Sequence, residues 1–235
     1  ETGCEGAPEM LAHMAEHGFP RAAAAIIGEP TGLACVTGHK GSAQVPITVR
    51  GVAVHSSMMH TGVSAIHEAA RVIEWANRTN AEAAARAPDA TAALFDPPWT
   101  SLHVGQISGG TAHNITAAEC RFGLGIRAVP GDPLDGWIER LRAVLAPLEA
   151  RMKAIHPDAG FELADTIDVP AFAPEPGGAA ERLVRRLTGD NGTHVVSYGT
   201  EAGQFQRAGH SAAVCGPGDI AQAHQPDEFI TLTEF

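Results

Sequence analysis

The order of strand and helix patterns in the middle of the chain is the feature that most restricts its fold. Alternating apolar residues predict a strand over Gln44–Arg50, and helical spacing predicts a helix over Val63–Asn77. After a proline-containing loop the patterns predict two strands, a long helix and a last strand, at Ser101–Ile107, Glu119–Ala128, Pro133–Ile155 and Phe161–Thr166. This order is that of a ferredoxin-like layer, in which four antiparallel strands lie under two helices.

The two ends of the chain have the pattern of an α/β protein. A helix is predicted over Ala7–His17 and a short buried strand over Ala22–Ile27. Beyond Pro170 the patterns predict, in order, a helix, a strand, a helix and a strand, at Ala179–Leu187, at Thr193–Val196, after Thr200 and at Ala212–Cys215. We therefore predict one α/β domain in two parts, residues 1–38 and 168–235, with an α+β domain of residues 39–167 inserted between them.

Composition excludes several classes of protein. The net charge of −11 argues against a nucleic-acid partner, which requires a basic surface. The sequence has no apolar run of about 18 residues and no basic-plus-apolar leader, so neither a membrane span nor a signal peptide is visible in it. Because the natural N-terminus is expected to be missing, the absent leader says little. The four cysteines are scattered and form no Cys-x-x-Cys pair, which is typical of free buried thiols in a reducing cytosol.

Several short motifs carry a resemblance to a known family. The C-terminal part reads Tyr-Gly-Thr-Glu-Ala-Gly at 198–203, Cys-Gly-Pro-Gly at 215–218 and Ala-His-Gln-Pro-Asp-Glu-Phe at 223–229. The N-terminal part has Glu-Thr-Gly at 1–3 and Gly-Glu-Pro-Thr at 28–31. Together they resemble the di-zinc amidohydrolase and peptidase family of acetylornithine deacetylase, succinyl-diaminopimelate desuccinylase and glutamate carboxypeptidase, and are most similar to the deacetylase members. The resemblance implies a partial zinc-peptidase-like α/β catalytic domain with an inserted ferredoxin-like dimerisation or lid domain.

The resemblance also implies a metal centre with two zinc ions per complete subunit and cobalt as an alternative metal. Glu1 and His224 would share one zinc, and Glu29 would bind the other. A pair of metals of this kind lowers the pKa of bound water to near 7. From the residues alone, Glu29 could instead be a turn or helix-capping carboxylate, and Glu1 could be a frayed chain end.

Two lid residues are expected to take part in catalysis. His55 lies in Val-His-Ser-Ser at 54–57, and Asn114 lies in Gly-Gly-Thr-Ala-His-Asn-Ile at 109–115. The resemblance implies that they reach the partner subunit's site in a homodimer and donate hydrogen bonds to the tetrahedral oxyanion. The alternative for His55 is a surface histidine at a strand end, and the role of His113 stays open.

Four residues are expected to bind substrate. Arg127 matches a family arginine that holds a substrate carboxylate by two hydrogen bonds, although a buried structural ion pair is an equal alternative. Gly199, Thr200 and Glu201 open a helix, which favours contacts to anions or to backbone. Glu201 would meet the substrate's ammonium group, or it would orient a zinc ligand.

The family's activity is an expectation for this chain. It implies hydrolysis of N-acetyl-L-ornithine, a small N-acyl amino acid, to ornithine and acetate in arginine biosynthesis. The Asp-Glu pair before Glu1 and an upstream His-x-Asp are absent, so we expect a part of a longer cytoplasmic enzyme that is inactive alone. Another deacylase or dipeptidase is the first alternative, and a non-catalytic dimerisation module is the second.

Overall fold

A computed structural model describes residues 4–234 of the chain. In chain order the helices α1 to α5 cover Gly6–Glu16, Ala65–Ala84, Leu134–Ile155, Ala179–Thr188 and Ala202–Arg207. The strands β1 to β9 cover Ala25–Ile27, Val36–His39, Gly41–Arg50, Ser101–Gly109, Glu119–Ala128, Gly160–Leu163, Ile167–Val169, His194–Val196 and Ala212–Val214. These strands form two sheets, one from the middle of the chain and one mainly from its two ends.

The middle sheet, which we call the lid sheet, has the predicted ferredoxin-like arrangement. Its strands lie in the order β4-β5-β3-β6, and all neighbours are antiparallel. β3 and β5 pair over their full lengths, from Gly41 opposite Ala128 to Arg50 opposite Glu119. Together with α2 and α3, these strands give the order that the sequence patterns predict.

Alternation along the lid strands produces the largest core of the chain. On β3 the side chains of Ala43, Val45, Ile47 and Val49 are buried, and those between them are more exposed. The buried side chains of β5 are Cys120, Phe122, Leu124, Ile126 and Ala128. Because successive strand residues point to opposite faces, one face of the sheet packs under α2 and α3 while the other stays open.

The helix α2 is longer than the sequence predicts, and it packs on the lid sheet with a partly different face. The predicted apolar face consists of Ile66, Ala70, Ile73 and Ala76, but Ile66 is 40% exposed. The residues that α2 buries are Ala65, Glu68, Ala69, Val72 and Ala76. Of the predicted face, Ala76 is buried and Ile73 half-buried, so the buried face of α2 overlaps the predicted one but is rotated away from Ile66 and Ala70.

One ion pair joins α2 to α3 on the side of the lid core, and a second lies within α2. The Glu68 carboxylate is mostly buried and accepts from Arg151 Nη2 at 2.6 Å and from Arg71 Nε at 3.3 Å. α2 and α3 are 20 and 22 residues long, which is the length of a membrane-spanning helix, but both contain many charged residues. Among the helices of residues 4–234, none combines the length and apolar character needed to cross a membrane.

The second sheet, which we call the α/β sheet, has the order β1-β9-β2-β8. β1 pairs with β9 and β2 with β8 in parallel, whereas β2 and β9 meet antiparallel at Val36 and Val214. The strand β2 was not predicted, because its sequence Val-Thr-Gly-His has neither an apolar run nor alternation, yet all four residues are buried. The domain limits at 38/39 and 167/168 stay predictions. The strand β7, at Ile167–Val169, spans the second limit and pairs with β3 of the lid sheet.

The two sheets are connected at a junction formed by His39 and Lys40. β2 ends at His39 and β3 begins at Gly41, so a single residue lies between strands of different sheets. The backbones of His39 and Phe172 exchange two hydrogen bonds of 3.0 Å where the chain returns from the lid. The buried Lys40 Nζ donates to the carbonyl oxygens of Pro97 and Trp99, at 2.6 and 3.1 Å.

Truncation of a lid-core side chain should destabilise the protein strongly. Leu124→Ala removes a fully buried side chain from β5, and we expect a loss of about 2–5 kcal/mol in the free energy of unfolding. The matched control is Leu187→Ala on α4, where the side chain is 69% exposed and the expected change is within about 0.5 kcal/mol. Urea unfolding followed by circular dichroism measures both, and equal losses would contradict the assigned core.

Candidate active site

Glu29 lies in the turn after β1, at one edge of the α/β sheet. β1 and β9 run parallel with Ile27 opposite Val214, so Glu29 and Gly216 follow their strands at the same edge. A Cβ atom on residue 216 would lie 2.7 Å from the Glu29 carbonyl oxygen, so only glycine fits there. The Thr31 N–H donates to the Gly216 carbonyl oxygen at 3.2 Å. The backbone around Glu29 is therefore held closely against the turn after β9.

Three polar side chains from distant parts of the chain lie within electrostatic range of Glu29. Burial raises the pKa of the Glu29 carboxyl group, the Glu201 carboxylate raises it further, and His224 lowers it. Burial and the Glu29 charge also raise the pKa of the Tyr198 hydroxyl. The ionised form of Glu29 is thus disfavoured beside a second carboxylate, and a bound cation would relieve this repulsion.

An open cleft of about 530 Å³ lies against Glu29. Its walls include the turn of residues 28–30, the glycine-containing turn of residues 216–218, and residues 228–230. Small-molecule sites have volumes of roughly 300–1,000 Å³. The cleft beside Glu29 is therefore large enough for a substrate the size of an acylated amino acid.

His224 lies on an exposed segment that follows a short 3-10 turn at Ile220–Gln222. Its φ of 60° is in the left-handed region, which residues other than glycine adopt uncommonly. Its backbone N–H donates to Glu228 Oε2 at 3.2 Å, and Glu228 also lines the cleft. Strained backbone of this kind often occurs at functional sites.

The groups around Glu29 fit a divalent metal ion in chemical type. Zinc takes carboxylate oxygens and imidazole nitrogens, and Glu29 and His224 offer one group of each kind. Within residues 4–234 no three His, Cys, Asp or Glu side chains are grouped so that they could hold a metal ion. Glu1, the remaining predicted ligand, lies outside the described residues. A metal here would need further ligands besides Glu29 and His224.

The segment Gly199–Glu201 precedes α5, which begins at Ala202, so the helix predicted after Thr200 is confirmed. The Thr200 side chain is fully buried, and its hydroxyl oxygen accepts from the Ala202 N–H at 3.1 Å. That hydroxyl is thus occupied within the fold. Glu201 is half-buried and carries the charge that this segment presents to Glu29.

His39 is a buried residue of this region that the sequence analysis missed. Its Nδ1 lies 2.9 Å from the Lys40 carbonyl oxygen and donates to it, so Nε2 accepts from the Thr200 N–H at 3.3 Å. Burial lowers the pKa of His39 to about 4, so the ring is neutral near pH 7. His39 thereby supports the Gly199–Glu201 segment from the junction between the sheets. No periodic pattern in the short strand β2 marks it.

His55 and Asn114 lie side by side at one end of the lid sheet. His55 pairs antiparallel with Ile115, and the Ser56 N–H donates to the Asn114 carbonyl oxygen at 2.8 Å. His55 Nδ1 accepts from the Ser57 N–H at 3.3 Å and lies 2.8 Å from Ser57 Oγ, an arrangement that favours the ring proton on Nε2. Both side chains are exposed. The two predicted lid residues therefore form one exposed pair in which His55 is a hydrogen-bond donor through Nε2.

This pair lies far from Glu29 of the same chain. β3 has ten residues and begins at the junction, and His55 follows beyond its other end. At 3.3–3.4 Å per residue, the strand separates His55 from the junction by about 30 Å. Glu29 and His224 lie on the other side of the junction, in the part that contains the α/β sheet. One chain therefore does not bring both groups of candidate residues together.

Arg127 is exposed on the open face of β5, at the junction end of the lid sheet. It pairs with Ser42, which pairs in turn with Val169. Arg127 is therefore about two strand spacings, or ~10 Å, from Val169, and a Cβ atom on Gly199 would lie 3.2 Å from the Val169 side chain. The structure gives Arg127 no ion pair within residues 4–234, so the alternative of a buried structural ion pair is wrong.

The fold and these residues define a two-part α/β protein with an inserted α+β domain and a candidate site at the sheet edge. Residues 37–153 match the family model described as the M20 peptidase dimerisation domain. The chain belongs to the peptidase and amidohydrolase family that carries this domain. The resemblance inferred from the motifs is thereby confirmed.

Curated relatives and solved structures agree with this assignment. The chain is 33% identical to acetylornithine deacetylase of Myxococcus xanthus, covering 100% of this chain and 58% of that protein. It is 35% identical to acetylornithine deacetylase of Erwinia tasmaniensis, covering 88% and 51%. The chain thus spans about half the length of the curated relatives it matches.

Two solved structures have the same fold. The M20 family metallo-carboxypeptidase Sso-CP2 from Sulfolobus solfataricus has a TM-score of 0.66 at 14% identity, over 96% of this chain and 63% of that one. Aminopeptidase PepT from Bacillus cereus has a TM-score of 0.64 at 16% identity, over 91% and 53%. At these identities the likeness concerns the fold alone.

The buried His39 should make stability depend on pH. Its folded pKa of about 4 is below the unfolded value of 6.5, so the unfolded state binds the proton more readily. Stability from this group is present above pH 6.5 and is lost as pH falls toward 4, by about 3 kcal/mol in total. His39→Gln removes the titration, so urea unfolding from pH 7 to 4 should show the stability difference between wild type and variant shrinking. Parallel curves would contradict a neutral buried imidazole.

Proposed function

We propose that this chain is part of a metal-dependent amide hydrolase that removes the acetyl group from N-acetyl-L-ornithine, releasing ornithine and acetate. The observation that carries the proposal is the cleft lined by Glu29 and Glu228, with Glu201 and His224 within electrostatic range of Glu29. Sequence identity of 33–35% to acetylornithine deacetylases supports the substrate class. The metal that we propose is zinc, two ions per complete subunit, with cobalt as an alternative.

In the proposed mechanism the chain's residues hold, orient and stabilise the reacting groups. Metal ions of this type polarise a carbonyl group and acidify water when bound. Glu29 and His224 would hold them, with Glu1 as a further ligand. Glu201 would attract the ammonium group of ornithine, supported by the His39 contact beneath its loop.

Arg127 and the lid pair have separate tasks in this proposal. Arg127 is exposed and has no carboxylate partner within residues 4–234, so it is available for the substrate carboxylate. His55 Nε2 and the Asn114 amide would donate to the carbonyl oxygen as its negative charge develops. Because β3 holds His55 about 30 Å from the junction, we propose that these donors act in the site of a second subunit.

A homodimer formed through the lid is part of this proposal. β4 is an edge strand of the lid sheet, and Ile107 on it is 50% exposed. Other exposed apolar residues lie near it and near His55, namely Met58, Met59, Ile66 and Ile115. A surface with an open strand edge and clustered apolar side chains favours association. The lid of one subunit would then cover the cleft of the other.

Another deacylase or dipeptidase of the family, such as succinyl-diaminopimelate desuccinylase, is the alternative within the same chemistry. The open cleft beside Glu29 does not by itself select the acyl group. A non-catalytic dimerisation module is the alternative of another class, supported by the match of residues 37–153 to a dimerisation domain. Metal content and turnover separate the two classes.

The test uses the complete enzyme, meaning this chain with the upstream residues that the resemblance implies. With zinc, it should release acetate from N-acetyl-L-ornithine faster than it releases succinate from N-succinyl-diaminopimelate. A colorimetric assay of the free amine follows both reactions. Turnover of neither substrate by a folded, zinc-loaded protein would overturn the proposal.

His224→Ala in the complete enzyme should abolish hydrolysis, because it removes a protein ligand and weakens retention of the metal. We expect elemental analysis to show loss of at least one of the two zinc ions. His156→Ala at the exposed end of α3 is the control and should retain zinc and activity. Full zinc content and near wild-type turnover in His224→Ala would exclude His224 as a ligand.

His55→Ala should leave zinc content and fold unchanged while lowering turnover by about 100- to 1,000-fold, the usual effect of removing one oxyanion donor. His60→Ala, on the adjacent exposed 3-10 turn, is the matched control and should have little effect.

Mixing His55→Ala with His224→Ala chains should restore activity. In a heterodimer the chain that keeps its metals would receive His55 from the other chain, which gives one working site. An equal mixture with free subunit exchange should recover about a quarter of wild-type activity, because half of the two-fold dimers are mixed. Demonstrated exchange without recovered activity would rule out the action of His55 across subunits.

A further inference from the structure

Two of the four cysteines, Cys35 and Cys215, lie beside each other behind the cleft although they are distant in sequence. β2 and β9 pair antiparallel with Val36 opposite Val214. In that register the next pair outward is Cys35 and Cys215. The cysteines are thus scattered along the sequence, as expected. In the structure, however, Cys35 and Cys215 are neighbours.

Core packing places the two thiols on the same face of the α/β sheet. Val36 and Val214 belong to one hydrophobic cluster, whereas Cys35 and Cys215 belong to another, against Ala180 and Val184 of α4. This alternation is what strand geometry requires of neighbouring positions. Burial is the main cause that raises the pKa of the Cys35 thiol, and Cys215 adds the smallest contribution.

The backbone hydrogen bonds of Cys35 and Cys215 show that the two residues form a non-hydrogen-bonded pair. The Cys35 N–H donates to Asp190 Oδ2 at 2.8 Å, and the Cys215 N–H donates to the Ile27 carbonyl oxygen at 2.9 Å. The two cysteines therefore exchange no backbone hydrogen bond. At such antiparallel positions the Cα atoms are about 4.5 Å apart, which is within the range of roughly 4.4–6.8 Å found for disulfides.

We propose that Cys35 and Cys215 are a thiol pair that forms a disulfide when the protein meets a small-molecule disulfide oxidant. Cys215 is the more exposed of the two and reacts first. Its thiolate attacks the oxidant, forms a mixed disulfide and releases one small thiol. The Cys35 thiolate then attacks Cys215 Sγ and releases the second small thiol. The protein loses two electrons and two protons, which the oxidant receives as it becomes two thiols.

The cross-link would join the start of β2 to the residue before Gly216. Gly216 packs against the backbone of Glu29, as the 2.7 Å approach of its missing Cβ position shows. The disulfide would therefore restrain the turn at Gly216, which packs behind Glu29 and forms part of the cleft wall. Burial raises the pKa of both thiols, so exchange is slow at neutral pH and faster in alkaline solution.

The experiment treats the folded chain with oxidised glutathione at alkaline pH, blocks remaining thiols and digests with trypsin without reduction. Cleavage after Arg21, Lys40 and Arg207 places the two cysteines in peptides 22–40 and 208–235. We expect free thiols to fall from four to two. The linked peptide pair should be about tenfold more abundant than any other pair, because proximity raises the effective concentration of one thiol near the other.

Matched variants and a denatured sample make the result decisive. Cys215→Ser should abolish the linked peptide, and Cys120→Ala, in the lid core, should leave it unchanged. In urea the same treatment should scatter the links among the cysteines. Four free thiols after oxidation of the folded protein, links through Cys4 or Cys120, or an equal yield in urea would each overturn the proposal.

Discussion

The relation between the two sheets depends on the strand crossing at the junction of His39 and Lys40. No loop intervenes there, so the backbone itself fixes how the lid meets the α/β sheet. The Lys40 ammonium group is buried, which lowers its pKa, and its donors are satisfied by two carbonyl oxygens of the loop before β4. A buried charge that loses such partners costs several kcal/mol. The junction is therefore stable only when that loop is in place.

The same junction supports the candidate site. His39 hydrogen-bonds the segment that carries Glu201, and Glu201 in turn raises the pKa of Glu29. The carboxylate pair is thus positioned by packing that begins between the sheets. Repulsion between the Glu29 and Glu201 carboxylates lowers the stability of the fold in the absence of a cation. A positively charged ligand would relieve this repulsion, and the relief would add to its binding free energy. This charge arrangement is the main physical support for a metal or ammonium partner.

Local patterns predicted most of the fold. The alternation on β3, the strand β5 and the long helix α3 are strong periodic signals, and each was placed within a few residues of its observed limits. The strand β2 was not predicted, because all four of its residues are buried and its sequence does not alternate between polar and apolar residues. The packing face of α2 was predicted only in part, because apolar residues cover a wide arc of the helix and the sequence does not show which part of it meets the sheet.

The candidate site was predictable in its local parts only. A short apolar run followed by Gly-Glu-Pro-Thr places Glu29 at a strand end, and the motif before α5 places Glu201 at a helix start. The support from His39 and the pairing of Cys35 with Cys215 depend on contacts between distant segments, which leave no local signal.

The length of β3 has a consequence of its own. Two residues added to this strand and two to its partner β5 would keep both the inward alternation of apolar side chains and the full-length pairing. The same addition would carry His55 about 7 Å farther from the junction. That distance exceeds the length of any hydrogen bond. For a His55 that serves a neighbouring subunit, the length of this strand therefore sets the reach of the donor, in addition to its part in the pairing of the lid sheet.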